Sequence, residues 1–436
     1  MPQGHATRHL AYEAQSLLER LNEQRPFALT LPMVAAAAPS IAAQAAIEAF
    51  LAQGRDHLRH IVGRFLTWLE SPAGAIASAA QAQRYFAVLR VRFLDLITQF
   101  DMFSDVLAER SQHGYGEWLG GLDVVAADAL RLPGGWYASP PVICHLDRGP
   151  GAAIRRVRTR LPGGGLAPVA VIRIPRERMV GSAIASSLVH EVGHQGAELL
   201  DLTGTLRDAL TAMARDRPDE RIGWQCLQTW ISEIVADFWS VARVGITSTL
   251  GLMSVVSLPR AFVTRFTVDE PHPPPWIRVK ISASVGQRLY PDAQWQALAE
   301  LWESLYPLDR TVTTRDAMAF RSLERLLPGF VDFLASFRPA SLGGLMLAQA
   351  FPVAECSPAR LRVLWRGHRR RPETLAALSP TVACAAIGQA KFDGWLTATA
   401  EVTLLRRLLR FWALQGTIDA REICANAGPA AAALVL

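Results

Sequence analysis

A chain of 436 residues, half of them apolar and carrying a formal charge of +6, can bury a large core and fill two or three domains. That charge is too small for the length to imply a nucleic-acid partner, and none is expected. The five cysteines, Cys144, Cys226, Cys356, Cys384 and Cys424, are scattered and odd in number, which indicates neither a disulfide framework nor a Cys-based zinc site and fits a reducing cytoplasm.

The first residues mix His, Arg and Glu with no apolar core, so no secretory signal is expected. Leu10, Ala14, Leu17 and Leu21 form one stripe at helical spacing, and Phe86, Leu89, Phe93, Leu96, Phe100, Phe103 and Leu107 form a longer one. Both predict core-facing helices in an N-terminal region of residues 1–133. Gly120-Gly121 and the run from Leu132 to Gly135 punctuate its end. Three short strands follow, over residues 142–146, 154–159 and 169–174, with a glycine-rich turn at 161–165. Pro168 and Pro175 bracket the third, which predicts an edge strand. Arg155, Arg156, Arg158 and Arg160 in this stretch, like Arg366 and Arg369 to Arg371 later, are expected as solvated surface.

Gly181-Ser182 offers a cap for the next helix, which carries His190-Glu191-Val192-Gly193-His194. Residues four apart share a helical face, so His190 and His194 can present two imidazoles to one ion while Glu191 points at a water bound there. A catalytic zinc needs a third protein ligand and an open fourth position. Glu233, on a helix expected over residues 224–244, is the natural choice, and Asp237 one turn later can accept the free ring N–H of a ligating histidine. Two rivals stand closer in sequence. Asp208 lies in Gly204-Thr205-Leu206-Arg207-Asp208, which matches the GTxxD element of aspzincins but lacks the Tyr-Gly that follows it there. Glu198 is one turn beyond His194.

Taken together, the HExxH run, Glu233-Ile234-Val235-Ala236-Asp237 and the later His272-Pro273-Pro274-Pro275-Trp276-Ile277-Arg278 resemble the gluzincin clan of metallopeptidases, in the branch with the CAAX prenyl proteases and HtpX-like enzymes. The resemblance covers residues 168–282. It implies a zincin-like catalytic domain in which Glu233 is the third ligand, Asp237 supports the first histidine, and the strand before the motif helix is an exposed edge that pairs with extended substrate. The uncharged stretch 244–258 is shorter than the ~20 residues that span a bilayer, so no transmembrane segment is expected.

Beyond Arg278 the pattern returns to helices, with stripes at Trp295, Leu298, Trp302 and Leu305, at Leu323, Leu326, Leu327 and Phe330, and at Leu404, Leu405, Leu408, Leu409 and Trp412. The apolar tail 427–436 reads as either a buried strand or a frayed end. The expected fold is therefore α+β: a zincin-like core over 134–282, flanked by helical regions over 1–133 and 283–436. The expected activity is peptide-bond hydrolysis of a protein or peptide substrate. Zn²⁺ would be held by His190, His194 and Glu233, with Glu191 as general base and His272 or Arg278 stabilising the oxyanion. A catalytically silent interaction module, or a regulated effector or toxin, is the alternative.

Overall fold

The computed structural model describes residues 2–25, 27, 32–147, 152–176, 181, 183–266, 270–309 and 312–426. It is mostly helical with one small sheet, an α+β arrangement. The chain divides into two compact units, one of Met1–Leu119, Arg155–Ala170 and Leu414–Leu436, the other of Gly120–Ile154 and Val171–Ala413.

The first unit is built on three long helices, α1 (Pro2–Asn22), α2 (Ile41–Glu70) and α3 (Ala79–Ala108). Serines start two of them: the Ser40 hydroxyl accepts from Ala43 N at 3.2 Å, and Ser78 does the same for Gln81 N at 3.2 Å. The stripes predicted from spacing meet in one core, where Leu10, Ala14, Leu17 and Leu21 of α1 pack with Phe86, Leu89, Phe93 and Leu96 of α3. The same unit holds a tight turn in which Arg160 pairs with Leu166, Leu161 N bonds Gly165 O at 3.1 Å, and the Gln99 amide donates to Pro162 O and Gly164 O.

The second unit contains the motif helices. Most of α4 (Tyr115–Leu130) belongs to it, followed by β1 (Val142–Asp147) and by all but one residue each of β2 (Ala153–Arg155) and β3 (Ala170–Pro175), which form a sheet in the order β1-β3-β2. β3 is thus central, and its expected role as an exposed edge is overturned. Pro168 lies before the strand and Pro175 is its last residue, so neither interrupts the ladder, and only Arg173 of β3 is exposed. β2 is also shorter than expected. The alternating arginines leave the sheet after Arg155, and Arg158 takes a left-handed conformation, φ 63°, inside the turn.

Then come α5 (Ala183–Leu199), α6 (Leu202–Asp216), α7 (Arg221–Thr229), α8 (Ile231–Val244), α9 (Ile246–Val256), α10 (Pro275–Leu289), α11 (Gln294–Leu305), α12 (Thr314–Ser336), α13 (Pro358–His368) and α14 (Pro380–Phe392), with α15 (Ala398–Asn426) entering the unit through its first half. The single helix expected over 224–244 is two, α7 and α8, separated at Trp230, whose fully buried indole donates to Glu270 O at 3.0 Å. Leu305, expected on a core stripe, is more than half exposed at the end of α11. The stretch 244–258 forms α9, buried on nearly all sides. Among the described residues no helix is long and apolar enough to cross a membrane. The expected Ser182 cap and the 427–436 tail lie outside the described residues.

Candidate metal centre

Two glycines in and beside the motif decide how closely its helix can meet its neighbour. A Cβ on Gly193 would fall 2.8 Å from Ala236 Cα, and one on Gly196 would fall 2.3 Å from the Trp239 ring. With only hydrogens there, α5 lies against α8 backbone to backbone, and side chains on either side of the contact reach each other. His190 and His194 project from α5, their rings 4.8 Å apart and nearly perpendicular at 83°. Glu233 projects from the first turn of α8, where the positive end of the helix dipole favours a carboxylate.

The three side chains converge. His190 Nε2 lies 3.4 Å from Glu233 Oε2, and His194 Nε2 lies 3.4 Å from Glu233 Oε1. One ligand atom from each of the three lies within 4.8 Å of the others, and this is the only such His/Cys/Asp/Glu group among the described residues. Ligands about 2.0–2.1 Å from a tetrahedral zinc stand about 3.3 Å from one another; each separation is of that size, the two histidines facing different oxygens of the Glu233 carboxylate. Two imidazoles and a carboxylate are also the donor set that a three-ligand zinc site uses.

Charge is balanced around this group by Arg278 on the first turn of α10. Its Nε meets Asp237 Oδ2 at 2.7 Å, and its Nη2 meets Asp237 Oδ1 at 3.0 Å and Glu233 Oε2 at 3.1 Å. Asp237 Oδ1 is also 2.7 Å from His190 Nδ1, which leaves Nε2 as the ring nitrogen facing Glu233. Burial works against a charged His190, yet the Asp237 carboxylate and the contact with Glu233 outweigh it and push the imidazole up to about 10. Burial likewise opposes ionisation of Glu233, but its contacts with His190 and His194 and the charge of Arg278 hold it far below the usual carboxylate range. Asp237 is brought down to about 2 against its burial, chiefly by Arg278 and then by His190. Glu191 is buried and adds to the negative field that keeps Arg278 cationic.

His272 stands at the mouth. Its side chain is 56% exposed, with Nε2 3.6 Å from Glu233 Oε1 and Nδ1 3.9 Å from Glu270 Oε1. The three prolines after it end in the N-terminal turn of α10, which suits proline because the missing N–H has no helical acceptor there. Of the rival ligands, Asp208 lies exposed on α6 and Glu198 is exposed near the end of α5, and neither joins the group. Neither the grip of Arg278 on both carboxylates nor the close helix approach at Gly193 and Gly196 follows from the motif spacing. Glycines inside a helical pattern were the available signal for the second.

Comparison of the chain with family models, with curated proteins and with solved structures gives no match.

Proposed function

We propose that this protein is a zinc-dependent peptidase whose metal is held by His190, His194 and Glu233. The observation that carries this reading is the convergence of those donors at separations of 3.4 Å, with Asp237 on the far nitrogen of His190. A zincin-like core over residues 134–282, as the sequence resemblance implies, belongs to the same proposal. Bound zinc would lower the pKa of a coordinated water towards ~7 and polarise a substrate carbonyl.

The chain's own residues supply the remaining chemistry. Glu191, which follows His190 directly on α5, would serve as the base that takes a proton from the attacking water and returns it to the leaving amine. Asp237 Oδ1, 2.7 Å from His190 Nδ1, would favour the tautomer protonated at Nδ1 and leave Nε2, on the side of Glu233 and Arg278, to ligate the metal. Arg278 neutralises Asp237 and Glu233, so that buried carboxylates stay ionised in their ligating and supporting roles. His272, exposed and 3.6 Å from Glu233 Oε1, or Arg278 would stabilise an oxyanion.

Glu191→Gln is the discriminating variant, because it alters the base and leaves every proposed ligand in place. Metal content should equal that of the parent while hydrolysis of a generic protein substrate such as casein falls by a hundredfold or more. Cleavage at the parent rate would refute the mechanism. A parent that binds zinc and cleaves nothing would favour the interaction-module reading.

A further inference from the structure

Helix α3 (Ala79–Ala108) carries two stripes, and only one of them is covered. Phe86, Leu89, Phe93 and Leu96 enter the core of the first unit. On the other side Arg84, Ala87, Val91, Leu94, Thr98 and Asp101 recur at alternating steps of three and four, and all six are exposed. Val91 is 56% and Leu94 54% exposed. The Thr98 hydroxyl is already satisfied by Leu94 O at 2.9 Å, so it asks nothing of water. Steps of three and four along one line are the seam of a helix that pairs with another helix, and apolar residues there without cover mark a contact surface.

Charge is sorted along the same helix and identifies the partner. Arg84, Arg90 and Arg92 lie in its first half and Asp95, Asp101 and Asp105 in its second, with no other charged residue in it. The helix dipole favours the reverse order, so the pattern does not serve α3 on its own. Where the halves meet, Arg92 and Asp95 are 3.7 Å apart, whereas Arg84, Arg90, Asp101 and Asp105 are exposed and have no ion pair among the described residues. An anionic lipid surface would attract one half and repel the other. A second copy lying parallel would set Arg against Arg. A second copy lying antiparallel meets each charge with its opposite, and opposes the two dipoles as well. With the two-fold axis between residues 92 and 93, Val91 stands level with Leu94 of the second copy, Ala87 with Thr98, Arg90 with Asp95 and Arg84 with Asp101. Each pairing occurs twice, as two-fold symmetry requires.

We infer that this face of α3 is a self-association surface, through which two copies of the chain pair antiparallel as a two-fold dimer. One helix pair is smaller than a standard interface of ~1,600 Å², so the dimer should be reversible, with a dissociation constant on the order of 10 µM. Sedimentation velocity of the full chain from about 1 to 200 µM brackets that value, and the mass should rise from one chain towards two. Arg84→Glu and Asp101→Lys should each weaken dimerisation about tenfold or more, because each sets like charges together at both ends of the pairing. Mixed in equal amounts, or combined in one chain, the two changes restore opposite signs, and dimerisation should return to within about threefold of the parent. Val91→Ser removes an apolar contact and no charge, and should also weaken the dimer. All three positions are exposed, so melting of the variants should match the parent. A parent that stays monomeric over the whole range, single reversals that dimerise like the parent, or failure of either the mixture or the double variant to recover would overturn the pairing. Capture of a monomeric parent by phosphatidylserine vesicles would give the face to a lipid surface instead.

Discussion

Replacing Arg278 by Met removes the one guanidinium that faces two buried carboxylates. Its side chain is 13% exposed, and those of Glu233 and Asp237 are 12% and 8% exposed, so water screens these pairs little. Breaking a buried pair by deleting one partner typically costs ~3–5 kcal/mol; here the protonated His190 still faces both carboxylates, so one of the two negative charges is left buried without a cation. At about 2–4 °C per kcal/mol for a domain of a few hundred residues, the melting temperature in chelator-treated buffer should fall on the order of 10 °C. Zinc changes the outcome. A dication on Glu233 replaces part of the lost positive charge, so the zinc-induced rise in melting temperature should be larger in Arg278→Met than in the parent. Arg278→Lys, which keeps the charge but not the fork onto Asp237, should lie between the two. Calorimetric or fluorescence melting with and without zinc reads all three proteins. A chelated variant that melts within about 2 °C of the parent, or an identical zinc-induced rise in both, would refute this account of Arg278.

Two further outcomes follow from the same geometry. Gly193→Ala drives a methyl to 2.8 Å from the Ala236 backbone, and such overpacking costs ~1–3 kcal/mol; zinc affinity should drop with stability, and a variant with parental melting and affinity would mean that α5 and α8 need no such close contact. Because His190 in metal-free protein is held protonated up to about 10, metal uptake at neutral pH should release close to one proton from this group, with affinity falling about tenfold per pH unit below that value. The sign for stability is opposite: the raised value favours the metal-free fold fully below the ordinary histidine value near 6.5, and that contribution is lost as pH rises through about 10. Zinc calorimetry in two buffers of different ionisation heat counts the proton, and a pH-independent affinity would contradict the charge state assigned to His190.

Much of the site was legible in the chain because its spacing is helical and local. His190, Glu191 and His194 must share a turn of one helix, and Glu233 and Asp237 must share a turn of another, wherever those helices go. Which carboxylate meets the histidines is a tertiary matter. Asp208 is nearer in sequence, but α6 leaves it in solvent, and the contact through Gly193 selects α8 instead. The long stripes of α1 and α3 were equally readable, since burial at intervals of three and four has few other causes. Sheet order was not. The prolines around β3 suggested an edge, but a proline outside a strand or at its last residue is silent about what pairs in between. The break at Trp230 escaped for a similar reason. Its indole bonds to Glu270 O, 40 residues away, a partner that no local pattern announces.

The central claim is a metal held by His190, His194 and Glu233, and the most direct measurement is the zinc stoichiometry of four purified proteins by plasma mass spectrometry. The parent and Asp208→Ala should each carry one zinc per chain after dialysis against trace metal. Glu233→Ala and His194→Ala should carry little, because a site reduced to two ligands loses most of its affinity. Undiminished zinc in Glu233→Ala or His194→Ala, or loss of zinc in Asp208→Ala, would contradict the account.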